Sequence, residues 1–514
     1  MMTAMMTLGE LTRRNGRHWP DKDAYVELGR RVTWGEVDQR TDALGHALRD
    51  LGVIRGDRVA LLSHDCIEVA EIFLGAAKIG AIRVGFNPRL AAAEVAALIK
   101  DCTPRVFVYA AANQPMIDLV RAALKGFANM PVFCGLGAGH SAAHDYDTLL
   151  AQFGDAGGLE QTPFETAMIA YTSGSTGLPK GAVYPHDKFL RAMLYTSVYE
   201  TIDHDTMWLH AMPAAGVPMM HMLRNVLAAG TCVIIGTWNP ERALALIERE
   251  RITHTLLIPT MMAALLNVEG VEQRDLSSLV LLSYGAAGAP PAMIRQAMTT
   301  FGCNMLQMYG LTELIGMCNM LFPSDHRAGL AGKPDILASV GRPLSYVDSR
   351  IVDDDGREVA VGETGELLVR SDIAFAGYWN APEKTAEMFL GDWLRTGDIA
   401  RRDADGYIYI ADRAKFRMKS GGYNVFPSEV ENVLAEHPAV HEVCVFGMPD
   451  ATLKRQQSAS PDELRAFCKD RIANFKIPKK LEIWDDLPRG STGKIMRRSV
   501  IEIMLARTPE GATP

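Results

Sequence analysis

Through the first four fifths of the chain, short apolar runs of strand length alternate with stretches whose apolar residues recur at helical spacing. Arg58-Val59-Ala60-Leu61-Leu62 reads as a buried strand with a helix after it over 68–78. Residues 105–109 repeat the strand pattern, and Thr255-Leu256-Leu257-Ile258 precedes a helical stretch over 261–267. This alternation predicts an α/β fold of parallel sheets covered by helices. Helix starts are marked as well. Thr33 and Glu36 have capping-box spacing at the head of a helix running toward Leu51. Pro240 heads a helix over 241–250, where its missing N–H costs little, and the Ala-rich piece 91–97 reads as helix. After the strand-like Tyr407-Ile408-Tyr409-Ile410 the pattern changes, which places a boundary near Asp412-Arg413-Ala414-Lys415. The expected organisation is a large domain over 1–411 with several subdomains and a small α+β domain over 416–514.

Composition narrows the function class more than the fold. The 514 residues are 48% hydrophobic and 22% charged, too many for one core and enough for two to four domains. A formal charge of −8 argues against a partner held by general attraction to nucleic acid or an anionic membrane. The eight cysteines (66, 102, 134, 232, 303, 318, 444 and 468) include no Cys-x-x-Cys pair, so they suit buried thiols in a reducing compartment better than disulfides or zinc. Residues 1–14 lack a signal-like apolar core, and no run of about 18 apolar residues marks a transmembrane segment. A cytoplasmic protein is expected.

Three segments carry candidate chemistry. Tyr171-Thr172-Ser173-Gly174-Ser175-Thr176-Gly177-Leu178-Pro179-Lys180-Gly181 packs hydroxyls, glycines and one lysine directly after an apolar run. Glycines let backbone N–H groups turn inward on an anion, hydroxyls add donors, and Lys180 adds a full positive charge, which together suit a polyphosphate. The spacing is not that of a Walker loop, and no Gly-x-Ser-x-Gly elbow marks a serine hydrolase. A flexible Gly/Ser linker is the plain alternative; Pro179-Lys180 and the flanking strand-like runs count against it. In Gln307-Met308-Tyr309-Gly310-Leu311-Thr312-Glu313, Tyr309 can stack on a base, Thr312 can donate to a phosphate oxygen and Glu313 can hold Mg²⁺ as a hard oxygen ligand. Trp393-Leu394-Arg395-Thr396-Gly397-Asp398 sets a carboxylate after a turn glycine, suited to ribose hydroxyls, with Arg413 placed to help.

Taken in order, these segments resemble the adenylate-forming superfamily of acyl-CoA synthetases, adenylation domains and luciferases, over nearly the whole chain. Further segments agree with that pattern: Gly362-Glu363-Thr364-Gly365-Glu366-Leu367, Asp412-Arg413-x-Lys415, Ser420-Gly421-Gly422-Tyr423-Asn424-Val425-x-Pro427-x-Glu429-x-Glu431, and Pro488-Arg489-x-x-x-Gly493-Lys494. The resemblance implies a two-step ligase using ATP, Mg²⁺ and CoA. A carboxylate attacks the α-phosphate of ATP to give an acyl-adenylate and pyrophosphate, and a thiol then displaces AMP. It assigns residues 172–181, notably Thr172, Ser173, Gly174, Ser175, Thr176, Gly177 and Lys180, to the β- and γ-phosphates, and Glu313 to Mg²⁺. Lys494 would bridge the acyl carboxylate and the nucleotide in the first step. Lys415 would be the hinge about which the small domain rotates for the second, and Gly421-Gly422 would pass a pantetheine arm close to the backbone.

The acyl pocket is less sharply defined. Where members of the family often carry a bulky Phe-His pair, this chain reads Met212-Pro213-Ala214-Ala215-Gly216-Val217, and Tyr284-Gly285-Ala286-Ala287-Gly288 is expected opposite. No Phe-Asp-x-Ser element is present to clamp an α-amino group, so an amino acid is disfavoured and a fatty or aromatic acid is expected. Met219, Met220 and Met222 read as core, and His210 and His221 as structural. One departure stands out. After Gly447-Met448-Pro449-Asp450 the small domain is short of a Gly-Glu pair and a strand, which would leave an open edge beside a strand over 440–446. An acid:CoA ligase is the leading expectation. An enzyme that loads a separate acyl carrier protein and a non-catalytic nucleotide-binding descendant are the alternatives, and oligomeric state, a homodimer included, is left open.

Overall fold

The computed structural model describes residues 6–172, 179–413, 418–420, 423–425, 427–435, 437, 440, 442–446, 460–469, 471, 477–478, 481–484, 486–489 and 495–506. The chain divides into two compact units, one made of 1–348 with 370–394 and the other of 349–369 with 395–514. The strands Val347–Val352, Thr364–Ser371 and Trp393–Arg402 each carry the chain from one unit into the other.

The first unit holds the two large sheets that the alternating pattern calls for. In the seven-stranded sheet the order is His144–Asp145, Val132–Leu136, Val106–Ala110, Arg58–Leu62, Ile82–Phe86, Thr166–Thr172 and Lys180–Pro185, parallel except for the last pair. Its central strands are buried on both faces: every residue of Ile82–Phe86 is buried, as expected of a parallel sheet covered by helices. The nine-stranded sheet is parallel through Asp23–Glu27, Thr231–Ile234, Met207–His210, His254–Leu257, Leu281–Gly285 and Asn304–Gly310. Antiparallel strands flank this parallel stretch. Because parallel strands end at a common edge, residues 211–217, 286–288 and 311–313 all emerge on one side of this sheet.

Helices follow their sequence signals. Thr33 and Glu36 cap Trp34–Asp50 reciprocally, with Glu36 N–H donating to Thr33 Oγ1 at 3.3 Å and Thr33 N–H donating to Glu36 Oε2 at 2.8 Å. Pro240 is the first residue of Pro240–Arg249. The helix Ile67–Lys78 is buried at all twelve positions, and it keeps the Lys78 ammonium inside by pairing it with Asp38 and Asp42, both at 2.6 Å. All eight cysteines are free thiols. Among the described residues no helix is long and apolar enough to cross a membrane.

In the second unit, Asp398–Arg402 pairs antiparallel with Ile408–Arg413. Asp412 and Arg413 are therefore the end of a strand, while Ala414 and Lys415 lie outside the described residues. Val430, Leu434, Leu464 and Cys468 form a small core with Val433, Val440, Val443, Val445, Ile477 and Leu481 packed on it. Where a strand is expected over 440–446, the described residues Val440 and 442–446 carry no strand pairing, and Val445 N–H donates instead to Glu431 Oε1 at 2.6 Å. A lone strand cannot satisfy its own backbone groups, so in place of ladder bonds this segment uses a side-chain acceptor from the helix Pro427–Ala435. Residues 447–459, where the small domain is expected to be short of a strand, lie outside the described residues.

One docking contact carries a pH dependence. Leu8 N–H, at the start of the first helix Leu8–His18, donates to Nε2 of the buried His186 at 3.1 Å. That acceptor exists only on a neutral ring. Burial lowers the His186 pKa from 6.5 to about 4, against the opposing charges of Asp187 and Glu10. Between those two values the unfolded chain takes up a proton that the native chain refuses, so stability held above pH 6.5 is lost as pH falls toward 4. Denaturant titrations are expected to show a loss of about 2 kcal/mol from this site at pH 5. His186→Gln should flatten the slope; an unchanged slope would assign it to other groups.

Candidate active site

The hairpin of Thr166–Thr172 and Lys180–Pro185 sets Thr172 opposite Lys180 at its open end, with Thr172 Oγ1 donating to the Lys180 carbonyl at 3.4 Å. Ser173, Gly174, Ser175, Thr176 and Gly177 span that end and lie outside the described residues. Residues 376–379 run along the outer strand of the hairpin. Ala376 N–H donates to the Val183 carbonyl at 3.0 Å, Val183 N–H to the Gly377 carbonyl at 2.9 Å, and Trp379 N–H to the Gly181 carbonyl at 2.7 Å. Gly181 permits this approach, since a Cβ there would lie 2.6 Å from Ile169 Cγ2 and 3.3 Å from Trp379 Cβ.

The covering segment delivers Tyr378 between two of the residues singled out in the sequence. Lys180 Nζ lies 4.9 Å from the centroid of the Tyr378 ring, and the Tyr378 hydroxyl donates to Glu313 Oε1 at 2.5 Å. Burial, reinforced by the Glu313 carboxylate, pushes the phenol pKa up, so it remains a donor. The backbone of the short helical turn Thr312–Leu314 is held from the same side, with Tyr184 OH donating to the Thr312 carbonyl and Phe375 N–H to the Glu313 carbonyl, both at 2.9 Å. Among the described residues Lys180 has no acidic partner within ion-pair distance, and neither the Thr312 hydroxyl nor Glu313 Oε2 has a hydrogen-bond partner. A cation, a hydroxyl donor and a carboxylate oxygen are thus left available on one unit. Tyr309 stands at the end of Asn304–Gly310, half-buried, three residues before Thr312. Tyr378 was missed in the sequence; its signal is an aromatic pair directly after Gly377, whose φ of +121° marks a backbone bend.

The expected acid wall is only partly side chain. Ala214 is fully buried, Ala215 and Gly216 are half-buried, and space around Gly216 is open. The Tyr284 hydroxyl shares a hydrogen bond with His326 Nε2 at 2.9 Å, and its ring is buried. Gly285 allows the neighbouring strand close: a Cβ would meet the Met308 carbonyl oxygen at 2.4 Å. Ala286 follows in the left-handed region with φ +65°. Met219, Met220 and Met222 are buried, His210 pairs with Asp65 at 3.2 Å, and neither ring nitrogen of the buried His221 has a partner.

In the second unit, Thr396-Gly397-Asp398 corrects an expectation. The glycine is not in a turn but inside the ten-residue strand Trp393–Arg402, where it takes φ +69°, a conformation open to glycine without strain. Thr396 Oγ1 donates to the Leu367 carbonyl at 2.7 Å and accepts from Asp398 N–H at 3.0 Å, which fixes the buried Asp398 opposite Arg413 in the ladder. Lys415, Gly421, Gly422 and Lys494 lie outside the described residues.

Residues 12–379 match the AMP-binding enzyme family and residues 429–494 the AMP-binding enzyme C-terminal domain. The chain belongs to the AMP-binding, adenylate-forming enzymes. It is 31% identical to a fatty acid–[acyl-carrier-protein] ligase of Streptomyces coeruleorubidus, with 96% of each chain covered. It is 32% identical to a long-chain-fatty-acid–CoA ligase of Mycobacterium tuberculosis, over 98% of this chain and 100% of the relative. Among solved structures, an anthranilate CoA ligase in complex with anthranoyl-AMP superposes with a TM-score of 0.87 at 28% identity, over 99% of both chains. The protein is accordingly an ATP-dependent, acid-activating ligase. Mg²⁺, which accompanies ATP in this family, fits the donor set: Glu313 Oε2 is a hard oxygen without a protein donor.

Tyr378→Phe keeps the ring beneath Lys180 and removes the donor to Glu313. It is expected to lower kcat/KM for Mg-ATP roughly tenfold, the cost of one hydrogen bond to a charged group, with the KM for the acid unchanged. An equal change in both substrates would assign Tyr378 to the fold alone.

Proposed function

We propose that the protein is an AMP-forming acid:CoA ligase for a fatty or aromatic acid. The observation that carries the reading is the Lys180–Tyr378–Glu313 arrangement, a cation and a carboxylate held on the two sides of one phenol and both open to a nucleotide. The chemical obstacle is repulsion between a carboxylate and a triphosphate, and catalysis consists of neutralising charge as it moves onto pyrophosphate. Lys180, with the loop before it, takes the β- and γ-phosphates. Thr312 donates to a phosphate oxygen, and Tyr309 stacks on the adenine. Glu313 holds Mg²⁺, which supplies charge neutralisation between the phosphates. Asp398 and Arg413 hold the ribose. Lys494 binds the acyl carboxylate and the nucleotide while the carboxylate oxygen bonds to the α-phosphorus and the bond to pyrophosphate breaks.

In the second step the CoA sulfur bonds to the acyl carbon, the acyl–phosphate oxygen bond breaks, AMP leaves and the thiol proton passes to solvent. Rotation of the small domain about Lys415 withdraws Lys494, and Gly421-Gly422 admits the pantetheine arm. CoA as acceptor is supported by likeness to CoA ligases along the whole chain. The likeness to a carrier-protein ligase supports a second reading, in which the thiol belongs to a carrier protein. Eight free thiols suit a reducing, cytoplasmic setting.

Pyrophosphate release from Mg-ATP across short, medium and long fatty acids and aromatic acids, each with and without CoA, tests this directly. Acid-dependent release that turns over only with CoA, with the acyl-CoA seen by mass, is expected. Loading of a purified carrier protein without CoA would favour the second reading, and ATP binding with no release for any acid would mean the chemistry is lost. Lys494→Ala should reduce acyl-adenylate formation by about a hundredfold or more while preformed acyl-adenylate is still converted to thioester. Equal loss in both half-reactions would sink the assignment of Lys494 to the first step.

A further inference from the structure

Two charged side chains of the seven-stranded sheet reach the 212–217 segment, and neither has a place in the phosphate chemistry. Asp65 follows the strand Arg58–Leu62. Its Oδ1 and Oδ2 accept from Ala214 N–H at 3.0 and 3.1 Å, and Oδ2 also meets His210 Nε2 at 3.2 Å. Arg83, in Ile82–Phe86, is 1% exposed and donates from Nη1 to the Ala215 carbonyl at 3.3 Å, with Met168 Sδ 4.0 Å away. Gly85 makes room for this. A Cβ there would lie 2.4 Å from Arg83 Nη1 and 2.6 Å from the Ala215 carbonyl oxygen.

The energetics of Arg83 single it out. It has no carboxylate within ion-pair distance, and its Nε–H is buried without an acceptor. Burial lowers its pKa to about 10 although the charge of Asp65 opposes the shift. A buried guanidinium whose oxygen acceptor is one backbone carbonyl holds a core together less well than an apolar side chain of equal volume would. What the arginine does provide is a fixed loop carbonyl, next to the N–H that Asp65 fixes. The loop needs such support, because Ala215 and Gly216 have no side-chain bulk to wedge it in place and Gly216 borders open space.

We propose that Asp65 and Arg83 are positioning residues for the acyl-binding segment, locking the Ala214 N–H and the Ala215 carbonyl and so shaping the wall that selects the acid. The selectivity role rests on the ligase reading above; the clamp itself rests only on the geometry.

Arg83→Met, made in the full chain, keeps the stem volume and removes the donors. Amide hydrogen exchange over 214–217 should accelerate roughly tenfold, and the KM for the acid should rise by a similar factor, the equivalent of one lost hydrogen bond. The KM for ATP should stay within about twofold and the melting temperature should hold or rise, because an apolar residue replaces an unpaired charge. The order of preference across the acid panel should change. Arg83→Lys should restore part of the protection, and Asp65→Asn should loosen the same four residues. Unchanged exchange over 214–217 in Arg83→Met overturns the clamp. Faster exchange with acid KM and acid preference unaltered overturns the selectivity role. If the wild-type chain releases no pyrophosphate with any acid, the ligase reading and the selectivity role fall together, while exchange still decides the clamp.

Discussion

Lys180 and Glu313 carry opposite charges, lie on either side of the same phenol, and do not pair with each other. The rest of the site depends on that separation. Had the ammonium met the carboxylate, each would have satisfied the other and left neither available to a ligand. Tyr378 prevents this by offering a different surface to each: its ring face attracts the cation, and its hydroxyl donates to the anion. The ring interaction is weak at a partly exposed site, and it does not discharge the lysine. Keeping a cation and an anion apart costs free energy, which the surrounding backbone contacts offset. The segment bearing Tyr378 is bonded to the outer hairpin strand at Val183 and Gly181, and the turn bearing Glu313 is bonded through Phe375 and Tyr184.

Much of this framework was legible in the chain. The strand and helix sequence around Arg58–Leu62, the capping box at Thr33 and the proline at 240 report local physics, in which period, cap and φ restriction each act within a few residues. Lys180, Thr312 and Glu313 could be singled out for a similar reason, since a cation, a hydroxyl and a carboxylate are the groups that the proposed nucleotide site calls for. Tyr378 was not, because an aromatic residue reads as core until its neighbours are known, and its neighbours are 198 positions upstream at Lys180 and 65 upstream at Glu313. The backbone of Gly397 was misread for a related cause. A glycine before an aspartate usually signals a turn, and only strand pairing on both sides shows a left-handed residue held within a ladder.

The second unit shows the limit of local reading from the other direction. Residues 442–446 have the composition of a strand, and local propensity would make them one, yet a strand exists only if another strand accepts its backbone groups. The helix Pro427–Ala435 supplies Glu431 instead, which takes both the Val445 N–H and the Arg497 guanidinium. The apolar residues still find a core against Val430 and Leu434, so burial is kept while the ladder is not. Hydrophobic pattern and hydrogen-bond pattern are separable demands, and a segment can meet the first without the second.

The same separation explains how the segment proposed as the acid wall can be small and still be shaped. In a pocket lined by bulky residues, interdigitated side chains fix the backbone; in a segment of two alanines and a glycine they cannot. Shape then has to come from hydrogen bonds to the backbone itself: Met219 and Met220 N–H hold the Gly216 and Val217 carbonyls, and charged groups from another sheet hold Ala214 and Ala215. Asp65, just past the end of Arg58–Leu62, and Arg83, inside the neighbouring parallel strand Ile82–Phe86, meet consecutive residues of the loop, one at an N–H and the other at a carbonyl. On the proposed reading, a change in the residues behind such a wall changes its acid with the lining itself untouched, which places selectivity in positions that no motif of the pocket contains.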